Sequence, residues 1–165
     1  FGLGLTGALE VNTKEDISAN SNLIIMWGAN FASQPNTSRH IRKAQNRGAK
    51  LITIDIRRTE VAAQSDEVFL IKPGSDSALA LGMMHVIIAE DLVDADFVAR
   101  HTIGFRELRN HVADLTPEWA ANETGISAER ISALSALISN LERRSLTILS
   151  ETHSLLFRRP LTHIN

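Results

Sequence analysis

The run Leu23-Ile24-Ile25-Met26-Trp27 constrains this chain more than any other segment. It is continuously apolar, and polar or turn-forming residues bound it: Asn20-Ser21-Asn22 before, Gly28-Ala29-Asn30 after. A strand with one face in water alternates; one without alternation is covered on both faces, as in a parallel sheet flanked by helices. A parallel neighbour cannot be reached by a tight hairpin, so a crossover has to follow. Residues 37–47 carry a helical pattern, Gly48 stands where a left-handed C-cap belongs, and Leu51-Ile52-Thr53-Ile54 predicts a second buried strand ending at Asp55. Strand, loop, helix and strand fit in roughly thirty residues, the span of one right-handed βαβ unit.

The rest of the chain continues the pattern. A short helix is expected to start at Thr13-Lys14-Glu15-Asp16 and to end near Asn20. Val68-Phe69-Leu70-Ile71 predicts a third strand, stopped by Pro73-Gly74. Ser75 and Asp76 can cap a long helix over 77–90, which is apolar nearly all round and therefore expected to be buried. Shorter helices are predicted over 94–101, 105–112 and 117–122, the last with Thr116 as N-cap and Pro117 at the first helical position. Ser127 opens an amphipathic helix with Ile131, Leu134, Leu137, Ile138 and Leu141 on one stripe, and Leu146-Thr147-Ile148-Leu149 predicts a fourth strand. The expected fold class is α/β: a three-layer, Rossmann-like domain with a mostly parallel sheet and helices on both faces.

Composition excludes several functions. With 165 residues the chain can bury a core, and its net charge of -2 offers no basic excess to meet a nucleic-acid backbone. There is no cysteine, so disulfides, thiolate metal sites, iron–sulfur ligation and a cysteine nucleophile are absent from it. No apolar run has the roughly 20 residues of a membrane span. The start lacks an initiator Met and a basic leader, and reads as if cut from something longer.

In open parallel sheets, ligands bind beyond the carboxyl ends of the strands. The ends here are the loops 28–34, 55–59 and 73–76, expected on one edge. Gly28 lets backbone approach a ligand, and Asn30 carries both a donor and an acceptor. Asp55 stands where dinucleotide folds place an acid against ribose hydroxyls, with Arg57 and Arg58 beside it to meet phosphate. Gly74, Ser75 and Asp76 open a helix whose amides suit an anion, while the Asp can accept from a guanine edge. The bland alternatives are a plain turn at Gly28 and Asn30, a solvated ion cluster at Asp55, Arg57 and Arg58, and a helix cap at Asp76. Gly2-Leu3-Gly4-Leu5-Thr6-Gly7 matches G-x-G-x-x-G but follows no strand, so it is a decoy. The histidines have no metal-ligand spacing: His85 reads as a satisfied core residue, and His40, His101 and His111 as surface or boundary residues. Trp27 could pack on a ligand or in the core. No catalytic group and no metal ligand is assigned.

These residues carry a family resemblance. The segment from Asn22 through Trp27-Gly28-Ala29-Asn30 resembles the strand-and-turn motif of the bis-molybdopterin guanine dinucleotide oxidoreductases, which include dimethyl sulfoxide and biotin sulfoxide reductases, formate dehydrogenases and nitrate reductases. The likeness continues through Arg47-Gly48-Ala49-Lys50-Leu51-Ile52, Asp55-Ile56-Arg57-Arg58-Thr59 and Pro73-Gly74-Ser75-Asp76-Ser77-Ala78-Leu79-Ala80-Leu81-Gly82-Met83-Met84-His85-Val86-Ile87-Ile88, in family order across about residues 10–149. The resemblance implies a cofactor-binding α/β domain over 1–149. Gly28, Asn30 and Ser33 would line the first loop, Asp55 and Arg57 flank ribose and phosphates, and Gly74 and Asp76 meet the guanine end. The implied cofactor is molybdopterin guanine dinucleotide, with molybdenum or tungsten. The implied partners are the remaining domains of a parent enzyme and a small-molecule redox substrate, with no nucleic acid and no membrane segment. Phe31 and Ile56 stand where the family usually has Pro, although the polar residues around them are kept. The family's metal ligand (Ser, Cys or selenocysteine) would precede the Gly-rich start, so this chain alone is expected to be inactive. Residues 150–165 depart from the family pattern; a boundary or reading-frame change in the coding DNA is expected there, which translation in all three frames checks. The rival readings are a stand-alone nucleotide module, of NAD type or like the central domain of a thiamine-diphosphate enzyme, and a purely structural domain.

Overall fold

The computed structural model describes residues 14–30, 35–140 and 145–150. In chain order the elements are α1 (Lys14–Asn20), β1 (Ser21–Trp27), α2 (Pro35–Asn46), β2 (Lys50–Asp55), a 3-10 turn (Ala62–Gln64), β3 (Glu67–Leu70), α3 (Asp76–Ala89), α4 (Ala95–His101), α5 (Phe105–His111), α6 (Pro117–Thr124), α7 (Ala128–Ser139) and β4 (Ser145–Ser150). The strands form one sheet in the order β3-β2-β1-β4. β1 and β4 are parallel, with Leu23 opposite Leu146 and Met26 opposite Leu149. β3 runs parallel to β2: the Asp66 N–H reaches the Leu51 carbonyl at 2.9 Å and the Ile71 N–H reaches the Asp55 carbonyl at 3.0 Å, so partners advance together. The mixed α/β class with a parallel sheet is therefore the one the sequence predicts. Thr13 and the decoy glycines lie outside the described residues.

The chain divides into two compact units, and the division falls within β2 and β3. The first holds residues 1–53, 59–68 and 143–165. In it Leu23, Ile24, Ile25 and Met26 are all buried, as the unbroken apolar run requires. Ile17 of α1, Ile41 and Ala44 of α2, Leu51 and Val61 join Ile24 and Met26 in one core cluster. α2 closes as its Gly predicts: Gly48 has φ +96°, its N–H bonds the Gln45 carbonyl, and the Ala49 N–H bonds the Ala44 carbonyl. Those two bonds make the Schellman pair that satisfies the last carbonyls of a helix. One expectation is corrected. His40 is buried at 4% exposure, not at the surface, because α1 packs over that face of α2. Its ring nitrogens meet the Ser18 hydroxyl at 3.4 Å and the Arg39 Nε at 3.1 Å.

The second unit holds residues 54–58 and 69–142. Here α3 packs against α6 and α7. Only the stripe Leu79, Gly82, Met83 and Val86 is buried, whereas Met84 is 40% exposed. The expectation of an all-round buried helix is thus corrected: α6 and α7 take one face. Gly82 explains the close approach, since a Cβ there would stand 2.5 Å from the Ala120 Cβ. Ser75 occupies the N-cap position of α3 without capping an amide; its hydroxyl instead donates to the Lys72 carbonyl at 2.7 Å. His85 is satisfied as expected, with Nδ1 2.8 Å from the Val112 carbonyl. Thr116 caps α6 through the Trp119 N–H, and Gly125 ends that helix at φ +80°. Glu118 lies below the ordinary glutamate range, chiefly through a hydrogen bond with the Thr116 side chain; Glu129 is lowered chiefly by its own backbone N–H. Arg130 stacks its guanidinium 4.2 Å over the buried Phe69 ring.

Two substitutions test this packing. Gly82→Ala should destabilise the chain by about 1–3 kcal/mol through backbone-level overpacking, and Ala120→Gly should restore part of that loss in the double variant. Additive losses in denaturant titrations would show that the two helices do not meet as described. Asp91 has φ +53° beyond the end of α3, where the Leu92 N–H bonds the Ile87 carbonyl and the Asp91 N–H bonds the Ile88 carbonyl. Asp91→Gly should therefore raise stability by roughly 0.5–1 kcal/mol, read as a higher melting temperature.

Candidate functional site

β1 ends at Trp27, and the chain turns at Gly28 with φ +61°. No described residue lies within 4 Å of a Cβ built there, and the positive φ of the backbone itself calls for glycine. Two residues on, the Asn30 side chain donates from Nδ2 to Glu60 Oε2 at 2.8 Å. Its Oδ1 is buried and has no hydrogen-bond partner among the described residues. A buried acceptor without a donor costs about 1–3 kcal/mol, so such atoms mark places where a ligand or water is accommodated. Glu60 is carried by the turn after β2, where Thr59 Oγ1 accepts from the Ala62 N–H at 3.4 Å and the Thr59 carbonyl accepts from Ala63 at 3.2 Å. Gly28, Asn30 and Glu60 all belong to the first unit. Ser33 lies outside the described residues.

The other named residues belong to the second unit. Asp55 ends β2, and its Oδ1 accepts from the Arg57 backbone N–H at 3.1 Å. That bond folds the loop back on itself, as Asp side chains commonly do two residues on. Arg57 and Arg58 are exposed, and neither guanidinium forms an ion pair among the described residues. The carboxylate next to them is thus engaged by backbone, and the two cations remain available. The third loop is a β-turn over 72–75: the Ser75 N–H bonds the Lys72 carbonyl at 3.1 Å, with Pro73 second and Gly74 third at φ +79°. Pro then Gly with positive φ is the type II pattern. Lys72 is fastened at its base, its N–H to the Thr124 carbonyl at 3.0 Å and its Nζ to the Asn122 carbonyl at 2.8 Å. Asp76 follows as the exposed first residue of α3. The Ile71–Asp55 backbone bond sets the second and third loops at the ends of adjacent strands.

Each unit therefore has a chemical character of its own. In the first, an acceptor awaits an N–H or O–H donor; in the second, two unpaired guanidiniums stand beside carboxylates and a helix start. Phosphates, ribose hydroxyls and a purine edge fit those groups. Glu60 and Lys72 were not singled out from sequence. Glu60 lies 30 positions from Asn30, and no local pattern joins them. Among the described residues no group of three His, Cys, Asp or Glu could hold a metal, and no helix is long and apolar enough to cross a membrane.

The family model for molybdopterin oxidoreductase matches residues 1–159. The chain is 36% identical over 140 residues to a probable oxidoreductase, YoaE, of Bacillus subtilis, covering 82% of this chain and 20% of that protein. It is 37% identical over 141 residues to the F420-dependent formate dehydrogenase subunit alpha of Methanocaldococcus jannaschii, covering 86% and 21%. It is also 42% identical over 113 residues to formate dehydrogenase H of Escherichia coli, covering 68% and 16%. Acetylene hydratase from Pelobacter acetylenicus has the same fold, with a TM-score of 0.72 at 29% identity over 82% of this chain and 20% of that one. The chain spans about a fifth of the length of the first two relatives. Motifs, parallel sheet and relatives agree, and the chain belongs to the molybdopterin oxidoreductase family.

Proposed function

We propose that residues 1–149 form a domain that holds the guanosine diphosphate end of a molybdopterin guanine dinucleotide within a larger two-electron oxidoreductase, with 150–165 outside that domain. The observation that carries this reading is the state of the second loop. A solvated ion cluster would pair Asp55 with the adjacent arginines. Instead Asp55 Oδ1 takes the Arg57 backbone N–H, and both guanidiniums are unpaired among the described residues. Unpaired guanidiniums on consecutive residues match a diphosphate, which each can grip with parallel N–H donors.

On this reading Gly28, Asn30 and Ser33 line the first loop around the nucleotide. Arg57 neutralises phosphate, and Arg58 adds to the local positive field. Asp55 Oδ2 accepts from a ribose hydroxyl while Oδ1 keeps the loop folded. Gly74 lets the backbone come close to the base, and Asp76 accepts from the two N–H groups of the guanine edge. The cofactor, with molybdenum or tungsten, supplies the redox and oxygen-atom-transfer chemistry. The chain's own residues bind and orient. The relatives support that division: formate dehydrogenases and an acetylene hydratase share this domain, so it does not choose the reaction. Substrate, metal ligand and redox partner belong to other domains of the parent.

Calorimetric titration of the purified chain with GDP, ADP and NAD tests the proposal. GDP should bind preferentially, and Asp76→Ala should weaken it about tenfold or more, the usual cost of losing a charged hydrogen bond. Preference for NAD would instead favour a dinucleotide module of another class, and indifference to all three would contradict the proposal. In the intact parent, Arg57→Ala and Asp76→Ala should lower cofactor occupancy more than turnover per loaded enzyme. Full occupancy with lost turnover would overturn the assignment of these residues to binding.

A further inference from the structure

The Asn30–Glu60 pair carries a conclusion about which part of a ligand meets the first loop. A carboxylate only accepts hydrogen bonds, whereas a side-chain amide has one accepting end and one donating end. Glu60 Oε2 lies 2.8 Å from Asn30 Nδ2, so the charge on Glu60 settles which way the amide faces. The reversed amide would set oxygen against oxygen. With Nδ2 held by Glu60, Oδ1 is presented on the other side, where it is buried and has no partner among the described residues. A phosphate oxygen cannot satisfy that atom, because acceptor would meet acceptor. Nor is a carboxylate next door a favourable neighbour for a phosphate.

We propose that Glu60 is a positioning residue that locks the Asn30 amide so that Oδ1 accepts from an N–H or O–H donor of the bound nucleotide. The inference rests on the nucleotide-binding reading and sharpens it: the first loop recognises a donor edge, not the diphosphate. Of the donors on a guanosine nucleotide, the ribose hydroxyls and the exocyclic purine amine are the ones assigned to Asn30. Asn30 therefore contributes to discrimination between ligands more than to charge neutralisation. Omitting the matching donor leaves a buried acceptor empty, which is why a polar site of this kind rejects the analogue lacking it.

The test uses the whole 165-residue chain, wild type and Glu60→Gln, titrated with GDP, 2′,3′-dideoxy-GDP and IDP. Glutamine keeps the size of the side chain but can pair with either end of Asn30, so the lock is lost. Glu60→Gln should weaken GDP by about tenfold. The penalty should shrink to under about twofold for whichever analogue lacks the donor, the dideoxy compound for a ribose contact or IDP for the purine amine. An equal penalty on all three ligands, or none on GDP, would overturn the proposal while leaving the nucleotide reading intact. No GDP binding by the wild-type chain would remove the nucleotide reading, and with it the ligand half of this proposal. The orientation has a readout of its own. One Asn30 side-chain amide proton should be shifted downfield in the ligand-free wild type and return to the ordinary amide range in Glu60→Gln; no difference would show that Glu60 does not hold the amide.

Discussion

Everything in this fold is answerable to β1, an interior strand whose consecutive residues Leu23 to Met26 are buried on both faces. Its backbone donors and acceptors have to be satisfied laterally, by β2 on one side and β4 on the other, since water reaches neither face. Parallel pairing then excludes tight hairpins and imposes longer connections: α2 between β1 and β2, and residues 56–66 with their 3-10 turn between β2 and β3. It also determines where polar chemistry can appear. Within each strand the backbone is engaged by its neighbours; beyond the last ladder bond, at Gly28, Asp55 and Ile71, groups become available for anything else.

The loops use that freedom in contrasting ways. At the end of β2 the Asp55 side chain does a backbone's work, accepting the Arg57 N–H and holding a tight return. The carboxylate is thereby held by geometry, and neither adjacent guanidinium forms an ion pair among the described residues. After β3 the turn is built from Pro73 and Gly74 and fastened through Lys72 to the end of α6, so the start of α3 is held without a side-chain cap. After β1 a single amide is held by a carboxylate distant in sequence. Two loops are preorganised by bonds within the second unit and one by a bond within the first; among the described residues the loop after β1 leaves Asn30 Oδ1 without a partner, and the loop after β2 leaves two guanidiniums without an ion pair. Fixed, unmatched groups bind with little ordering cost, because the protein has already met it.

The second unit shows how much helix burial depends on neighbours. The apolar content of α3 suggests a helix sealed on all sides, yet α6 and α7 cover one stripe, where Gly82 lets the Ala120 methyl approach the helix backbone. Composition reports how apolar a helix is and cannot report how many elements will pack on it. The same limit misplaced His40: α2 reads as an amphipathic helix with the histidine at its surface or boundary, and α1 covers the histidine nevertheless.

What was legible in the sequence was whatever backbone stereochemistry and short-range periodicity decide. The unbroken apolar runs specified buried parallel strands; Gly48 specified the end of α2, because only a residue free to take positive φ closes a Schellman pair without strain; Pro73-Gly74 specified the turn that opens α3. The ordered motifs from Asn22 to Ile88 were enough to identify the family. Tertiary structure alone decided the relations between residues remote in sequence: Glu60 against Asn30, Gly82 against Ala120, and Ser18 against His40. The physical reason is range. Local rules act through a few bonds of the backbone, whereas the partner of a buried amide or a helix face is set by what the folded chain brings within a few ångströms of it.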